Sequence, residues 1–263
     1  MGELFTIVFK NPTVNLLLLF YQLFLFIGLP GAFGLAIISL TISIRLLLHP
    51  FFKQQMELTD KMNHVKPHLD KLAEKHKNDK KKLQEEQLKL YKEMGINPAS
   101  GCIFAIIQMP VFIALYQVLF GFFDKQKNIT QVIDGINKLV YFPFLKIRSI
   151  DPSFFGFNLA IPPSQYQKYG WYYLAIPIIT AILQYLQVSV TTPKTVEKKQ
   201  TQDKKDKKND SEDMQKVMST QMKFMFPLMI GIFSYQLPMG LSLYWNIFSI
   251  FSITQYKKLK IKK

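Results

Sequence analysis

The sequence has one cysteine, Cys102, in 263 residues, and two arginines, Arg45 and Arg148, among 33 basic residues. A single cysteine excludes an internal disulfide and a cysteine-based metal site, and its apolar neighbours indicate a packing role. Base readout in nucleic acids draws mainly on arginine. The scarcity of arginine therefore argues against DNA as a partner, while ribosomal RNA stays open as an electrostatic partner.

Motifs of common enzyme chemistry are missing as well. The sequence contains no Gly-rich phosphate loop and no GxSxG. His64 and His68 have the i, i+4 spacing that holds a metal on a helix face, but no Glu completes an HExxH motif and Pro67 lies between them, so a solvated face is the favoured interpretation. We expect a protein that is not an enzyme and that has no cofactor and no metal.

Long apolar runs dominate what is present, and 49% of the residues are hydrophobic. A bilayer core of roughly 30 Å needs about 20 apolar helical residues. The runs cover 33–52, 102–123, 169–193 and 224–256. The last run is about 50 Å long as one helix, and Pro238-Met239-Gly240 predicts a reversal near its middle. We predict two helices there, 218–237 and 240–257.

The lysines lie between these runs. Residues 53–101 hold 11 lysines, residues 191–223 hold nine and the tail 257–263 holds five, whereas 124–168 carries only six basic residues. Basic segments stay on the cytoplasmic side of a membrane and are attracted to anionic phospholipids. Five spans with the N-terminus outside and the C-terminus inside satisfy every loop.

The first thirty residues are ambiguous. Asn11-Pro12 suits a helix start, and 14–29 is almost entirely apolar and ends at Pro30-Gly31. This segment is an interfacial helix on the outer surface or a short sixth span. A cleaved signal peptide is a third interpretation, which the lack of a basic start and of a clear cleavage site disfavours.

Two of the basic segments differ in character. Residues 54–96 mix charge with sparse apolar positions, which predicts a thin two-helix hairpin in solvent, with a turn at Lys77-Asn78-Asp79 and a kink or break at Pro67. Residues 194–213 hold one apolar residue, Val196. We expect that segment to be disordered.

Arg45 is the one formal charge in the run 33–52. A charge near the middle of a membrane costs roughly 2.5–3.5 kcal/mol on insertion scales. Its position close to the predicted midpoint, with a side chain leaning towards the helix N-terminus, favours a polar intramembrane cavity over snorkelling. A structural polar partner is the third alternative.

A polar cavity needs other polar walls, and the remaining apolar runs offer amide, hydroxyl and indole groups but no Asp or Glu. Arg45 then lacks a fixed counter-ion and suits a transient anionic guest. The absence of acids also disfavours a proton-coupled transporter. Each polar candidate is individually more typical of an interhelical hydrogen bond. The candidates are Gln108, Gln117, Gln184, Gln187, Asn246, Ser249 and Thr254, with Ser39, Thr41 and Ser43 beside Arg45.

Methionines recur at intervals of 4, 4, 3 and 4 along the helix that leads into the fourth span. This stripe consists of Met214, Met218, Met222, Met225 and Met229. Ordinary packing or lipid contact is the common role of such a stripe. The functional alternative is an adaptable surface for varied apolar partners.

At this point the motifs resemble a known family. INPASGCIFAIIQMPVFIALY (96–116), TISIRLLLHP (41–50) and FPLMIGIFSYQLPMGLSLYWNIFSIFSITQ (226–255) are similar to the signature segments of the YidC-type membrane protein insertases, the YidC/Oxa/Alb superfamily. The similarity extends from about residue 11 to the end of the chain, with weak support in 124–168 and 191–215. The chain departs from long bacterial members by lacking an extra first span and a large outer domain.

The resemblance implies an all-α multi-pass membrane protein with five core transmembrane helices around a hydrophilic groove, an outer interfacial helix and a cytoplasmic helical hairpin. The groove opens to the cytoplasm and to lipid. The expected segments are the interfacial helix (1–31), the spans (32–53, 101–123, 169–191, 217–237 and 240–257), the hairpin (54–100), an extracytoplasmic loop (124–168), a disordered loop (192–216) and a basic tail (258–263).

The resemblance also implies a function. The expected protein receives nascent membrane proteins in its groove and releases their transmembrane segments into lipid in a bacterial plasma membrane. By carry-over Arg45 is the groove arginine, and Gln187, or Gln184 in an alternative register, and Trp245 line the groove. The ribosome and a Sec-type translocon are expected partners. The alternatives are a chaperone that acts only with a translocon and a channel or transporter.

Overall fold

The computed structural model describes residues 2–76, 79–97, 109–110, 112–120, 129–191 and 210–261. It is mainly α-helical in this part of the chain. The helices labelled here are α1 (Asn11–Phe26), α2 (Ala32–Leu47), α3 (His49–Lys75), α4 (Lys80–Glu93), α5 (Ile129–Asn137), α6 (Ala175–Thr191), α7 (Asp210–Gln236) and α8 (Met239–Ile261). Residues 112–120 are also helical.

Three segments of the described chain meet the length and apolarity expected of a membrane span. Two are single helices, Glu3–Phe26 and Trp171–Thr191, and the third is the pair α2–α3, taken as one broken span with a bend of 68°. The predicted second span, 101–123, falls mostly outside the described residues. The count of five spans therefore stays a prediction.

The first helix begins earlier than Asn11-Pro12 predicts. A short α-helical turn, Glu3–Phe5, and a π-helix, Thr6–Lys10, lead directly into α1. Pro12 has no N–H to donate to the preceding turn, and a π-helical segment accommodates such an irregularity. The helix still ends close to the predicted Pro30-Gly31 turn.

The run 33–52 is not one straight span. α2 ends at Leu47, and α3 starts at His49 with Pro50 in its first turn. Pro50 cannot donate the hydrogen bond that would continue α2, but it suits the start of a new helix. Arg45 therefore lies in the last turn of α2, next to the bend, and its depth in a membrane stays a prediction.

The predicted two-helix hairpin is present as α3 and α4. Val65, Leu69 and Ile96 form its small core, and the Asp79 side chain caps α4 by accepting a hydrogen bond from the Lys82 N–H at 3.0 Å. The predicted break at Pro67 is absent, because α3 continues through it to Lys75. Pro67 lies on an exposed face of the helix.

The predicted reversal in the run 224–256 is confirmed, since α7 ends at Gln236 and α8 begins at Met239. α7 starts at Asp210, inside the predicted disordered loop 192–216, and residues 192–209 lie outside the described chain. Acidic residues, which are common at 210–213, are favoured in the first turn of a helix. The prediction of disorder considered only how few apolar residues the segment contains, so it missed this signal for a helix start. α8 continues to Ile261, so the predicted basic tail is helical over 258–261.

The helices pack in a simple order. α6 lies against both α7 and α8, α8 also packs against α2, and α2 packs against α1. Phe33, Ile37 and Leu40 of α2 are fully buried together with Leu115 and Leu119 of the 112–120 helix. This core places α2, α6 and α8 around one interior.

The predicted loop 124–168 is folded where it is described. We call residues 129–169 the cap; it contains α5, the antiparallel β-strands β1 (Ser153–Phe154) and β2 (Phe157–Asn158), and a short helix, Tyr166–Tyr169. The carbonyl of Leu159 in the cap accepts a hydrogen bond from the Gly240 N–H at 2.9 Å. The cap therefore holds the turn between α7 and α8.

Asn15 joins the cap to α1. Its side-chain amide donates to the carbonyl of Leu139 at 2.9 Å, and its carbonyl oxygen accepts from the Tyr141 N–H at 2.6 Å. Asn15 is 6% exposed. Its loss would break both hydrogen bonds that join α1 to these backbone groups of the cap.

We predict that Asn15→Ala lowers the stability of the protein by about 2–3 kcal/mol, since three part-buried hydrogen bonds to backbone groups are lost, one within α1 and two to the cap. Gln22→Ala is the control, because Gln22 makes one exposed hydrogen bond to the carbonyl of Lys146 at 3.2 Å. Unfolding midpoints in detergent micelles measure both. Equal losses in the two variants would contradict the prediction.

Candidate functional site

Polar side chains line the interior between α2, α6 and α8, and we call them the polar seam. On α8 they recur on one face, and on α6 they recur at intervals of three or four residues, so each helix turns a polar stripe towards the other. The seam consists of Arg45 from α2, Thr180, Gln184, Gln187 and Thr191 from α6, and Ser242, Ser249, Ser252 and Gln255 from α8.

The end of the seam nearest the cap is closed by hydroxyl groups. The Ser234 and Ser242 hydroxyls lie 2.7 Å apart, and Ser234 donates to the Thr180 hydroxyl at 3.3 Å. All three residues have no exposed surface. These hydrogen-bonded hydroxyls join α6, α7 and α8 and fill this end of the seam among the described residues.

Gln184 and Gln187 both face the interior, so both registers considered from the sequence place an amide in the seam. The Ser249 hydroxyl donates to Gln187 Oε1 at 2.7 Å. Gln184 is 4% exposed, and its Oε1 has no hydrogen-bond partner among the described residues. The seam thus contains an unused acceptor one helical turn from a satisfied one.

Arg45 is held between two aromatic rings. Its guanidinium carbon lies 3.9 Å from the ring centroid of Phe52 and 3.8 Å from that of Phe248. Nη2 donates to the Phe248 carbonyl at 3.2 Å, and this carbonyl also accepts from the Ser252 hydroxyl at 2.8 Å. We call Phe52 and Phe248 the aromatic clamp.

The clamp leaves the arginine buried but incompletely satisfied. Arg45 is 3% exposed, and its Nε has no hydrogen-bond partner within the described chain. No carboxylate among the described residues pairs with it. The snorkelling alternative is therefore not what the structure shows, and the cation is stabilised by two ring faces and one carbonyl.

The far end of the seam lies where α3 leaves α2. Gln255 Nε2 and His49 Nδ1 are 2.9 Å apart, and the Thr59 hydroxyl donates to the Thr191 carbonyl at 3.1 Å. These contacts tie the ends of α8 and α6 to the first turns of α3. The hairpin is thereby attached directly to the seam.

The other candidate residues have different positions. Trp245 is 9% exposed and stacks on Phe112 with centroids 5.2 Å apart. Asn246 is half-buried, with its buried Oδ1 unpartnered in the described part of the structure. Gln117 is half-buried in the 112–120 helix, and Gln108 lies outside the described residues. Thr254 is exposed and bonds to the Ile250 carbonyl, so it does not belong to the seam.

Of the methionine stripe, the structure describes the side chains of Met225 and Met229. They are 55% and 41% exposed and lie on an outer face of α7. Met214, Met218 and Met222 fall where side chains are not described. Exposed thioethers fit either lipid or an apolar partner.

Sequence reasoning missed the aromatic clamp and the serines at 234, 242 and 252. Phe52 and Phe248 belong to different apolar runs in which phenylalanine is common, and no local pattern marks them as partners of Arg45. Ser242, Ser249 and Ser252 do carry a signal, since their spacing of seven and three places them on one face of a helix.

We predict that Phe248→Leu lowers stability by about 1–2 kcal/mol, because a buried cation loses one of its two ring faces. Phe224→Leu is the matched control, since Phe224 is 54% exposed, and we expect a change within about 0.5 kcal/mol there. Unfolding midpoints in detergent micelles report the difference. A control as damaging as Phe248→Leu would argue against the clamp.

The fold and the seam define a class: an α-helical membrane protein that encloses a polar, arginine-bearing interior without an internal counter-ion among its described residues. The family model described as "60Kd inner membrane protein" matches residues 24–262. The chain belongs to this family, the YidC/Oxa/Alb superfamily, and the resemblance seen in its motifs is confirmed.

Named relatives agree with this assignment. The chain is 32% identical over 228 residues to "Membrane protein insertase YidC" of Pelodictyon phaeoclathratiforme, which covers 87% of this chain and 33% of that protein. It is 30% identical over 254 residues to "Inner membrane protein ALBINO3, chloroplastic" of Arabidopsis thaliana. This alignment covers 89% of this chain and 48% of that protein. It is 31% identical over 231 residues to "Membrane protein insertase YidC" of Streptomyces avermitilis. This alignment covers 85% of this chain and 50% of that protein.

The chain spans a third to a half of the length of these relatives. The relatives include bacterial and chloroplast proteins. The comparisons therefore give the family and a membrane setting, while the activity, partners and compartment of this chain are matters for proposal.

Proposed function

We propose that this protein is a membrane protein insertase that receives nascent membrane proteins in the polar seam and releases their transmembrane segments sideways into the bilayer. The observation that carries the proposal is Arg45, a buried cation with no carboxylate partner in the described chain, inside a family whose named members include insertases. An uncompensated buried cation attracts an anionic guest.

Three unpartnered atoms support a seam that takes up polar groups. Buried polar atoms in folded proteins are usually hydrogen-bonded. Arg45 Nε, Gln184 Oε1 and Gln255 Oε1 are buried and have no partner among the described residues. Donors and acceptors on a polar peptide segment match these atoms, as does water in an open seam.

The proposed cycle starts with the seam closed, since Arg45 is 3% exposed. An acidic tail or short hydrophilic loop of the substrate enters from the hairpin side, because the cap side is closed by Thr180, Ser234 and Ser242. The rings of Phe52 and Phe248 part, and the guanidinium meets the substrate carboxylate. No covalent step is involved.

Release follows the outer faces of the third and fifth core spans, α6 and α8. Ile178, Ile182 and Leu186 form an exposed stripe on α6 with 61%, 54% and 45% of their surfaces accessible, and Ile250 of α8 is 47% exposed. An apolar substrate segment slides along this surface into lipid. Burial of its side chains drives the step with about 0.8 kcal/mol per CH₂ group.

The proposal includes the setting of the protein. Its five spans cross a bacterial plasma membrane with the N-terminus outside, and the hairpin and tail face the cytoplasm. The two hairpin arms enclose a cleft lined by His68, Lys71, Lys75 and Lys89, with Glu86 and Glu93. This basic surface suits the ribosome, and anionic phospholipids suit the membrane-proximal lysines; a Sec-type translocon is a further partner.

Depletion of the protein from its cell, with a single-span reporter that has an acidic outer tail, tests the function. We expect the reporter to accumulate uninserted, and protease protection measures this. Normal insertion in depleted cells would refute the proposal.

The competing function is that of a chaperone that acts only with a translocon. The seam is closed in the isolated chain, since Arg45 is 3% exposed, and this observation favours a protein that needs a partner to open it. Purified protein in vesicles of pure lipid separates the two. Insertion of the reporter into these vesicles without a translocon supports the autonomous insertase, and insertion only when a translocon is added supports the chaperone.

A further inference from the structure

The β-hairpin of the cap ends in a strained turn with an exposed aromatic residue. Phe155 and Gly156 have φ angles of 45° and 85° and form the two-residue loop between the paired residues Phe154 and Phe157. Positive φ at both positions is the pattern of a type I′ turn, which favours Asn, Asp or Gly. A bulky aromatic residue is disfavoured there.

Contacts with the other described residues do not account for this choice of residue. The Phe155 ring lies 4.8 Å from the Phe154 ring, yet 76% of its surface is exposed. Strained backbone conformations persist where the residue has a use. The position therefore carries both a strained backbone and an unburied apolar ring.

The hairpin lies at the turn between the membrane-capable helix Glu3–Phe26 and α2. The Phe154 ring packs on Gly31 and Gly34, at the start of α2, so closely that a Cβ atom at Gly34 would overlap it. Phe26, the last residue of α1, is 90% exposed, and Ile27 in the turn that leads to α2 is 57% exposed. The tip and this turn present apolar surface at the same end of α2.

A second membrane-capable helix starts beside the hairpin. The Tyr173 hydroxyl accepts a hydrogen bond from the Asn158 N–H at 2.9 Å, and Trp171, two residues earlier, is 79% exposed at the first position of the helix Trp171–Thr191. Exposed tryptophan at the end of a span is typical of the membrane–water boundary.

The chemistry of the tip fits lipid. Residues 152–167 contain no formal charge, so the hairpin offers no ion pair for recognition of a protein. Aromatic rings are enriched where hydrocarbon meets headgroups, and transfer of an exposed ring from water into that layer is favourable.

We propose that the tip of the cap, Phe155 together with Phe26, inserts into the bilayer at the boundary between headgroups and acyl chains. The occupant of this exposed surface is lipid, in the outer leaflet if the orientation proposed above holds. Burial of the Phe155 ring in lipid offsets the strained turn, and the insertion fixes the height of the cap over the seam. The inference does not depend on the insertase activity.

Fluorescence quenching of the full chain in phospholipid vesicles tests the proposal. A Cys102→Ser background carries one fluorophore, attached at Phe155→Cys or, as the matched control, at Ser153→Cys, an exposed position on the same hairpin. We expect lipid-borne nitroxide to quench the label at 155 at least three-fold more strongly than the label at 153, and aqueous iodide to show the reverse order.

Two outcomes overturn the proposal. Equal iodide quenching at both positions would place the tip in water, and protection of position 155 from both quenchers would indicate a protein partner or a second copy of the chain.

A second measurement leaves the tip unlabelled. With the label at Ser153→Cys, Phe155→Asn suits the turn but removes the ring, and Phe155→Trp keeps a ring. We expect iodide quenching at 153 to rise at least two-fold in the Asn variant and to stay at its original level in the Trp variant. An unchanged signal in the Asn variant would also refute insertion of the tip.

Discussion

Arg45→Gln is expected to slow insertion of an acidic-tailed substrate about ten-fold and to leave insertion of a neutral-tailed substrate within about two-fold of the original rate. A ten-fold effect corresponds to about 1.4 kcal/mol, and one charge pair about 8 Å apart in a partly hydrated site supplies about 2 kcal/mol. The measurement is the rate of protease protection for reporters that differ only in the charge of their tails.

The folded state should tolerate this change. Arg45 is 3% exposed and has no carboxylate partner among the described residues, so its removal relieves the cost of a buried charge. We expect the unfolding midpoint of Arg45→Gln to be equal to or higher than that of the unaltered protein.

Arg45→Lys is the charge-preserving control. Lysine keeps the charge but lacks the planar guanidinium that lies against the rings of Phe52 and Phe248, so we expect intermediate insertion of the acidic-tailed reporter. Equal slowing of acidic and neutral reporters by Arg45→Gln would show that the arginine does not attract the tail. That result would leave the insertase assignment in place.

Gly34→Ala is expected to destabilise the protein by about 1–3 kcal/mol and to become stabilising by about 0.5–1 kcal/mol in a Phe154→Ala background. A Cβ at Gly34 would overlap the Phe154 ring, and overpacking of a close contact typically costs this amount. Gly34 lies in the first turn of α2, where alanine is otherwise better than glycine.

The change of sign makes this prediction specific to contact between the cap and α2. A double-mutant cycle measured by unfolding in detergent micelles gives the coupling directly. Gly135→Ala is a control, because a Cβ at Gly135 meets open space. A Gly34→Ala cost that persists without the Phe154 ring would mean that the cap does not pack on α2 in the way described.

Local signals predicted much of the fold. The hairpin of α3 and α4 follows from mixed charge with sparse apolar positions, and the turn between α7 and α8 follows from Pro238 and Gly240. The bend between α2 and α3 was missed because the apolar run continues across it. The signal was Pro50, which ends one helix and starts another.

Some residues of the candidate site could likewise be predicted from the sequence, and others could not. Gln184, Gln187 and Ser249 were proposed from residue type and helical spacing, and the structure brings them to one interior. Thr254 was proposed on the same grounds and is exposed, because a polar residue in an apolar run points inward only if its helix is rotated that way. That rotation depends on the packing of α8 against α2 and α6.

The sequence by itself determined the family, the apolar helices, the lone arginine within an apolar run and the polar faces of two helices, since each depends on residues close together in the chain. Only the tertiary structure decided that Arg45 is clamped between Phe52 and Phe248, two rings 196 residues apart, and that the cap packs its Phe154 ring on Gly34. Contacts between distant segments arise from how whole helices pack, and the period of a single helix carries no information about its neighbour.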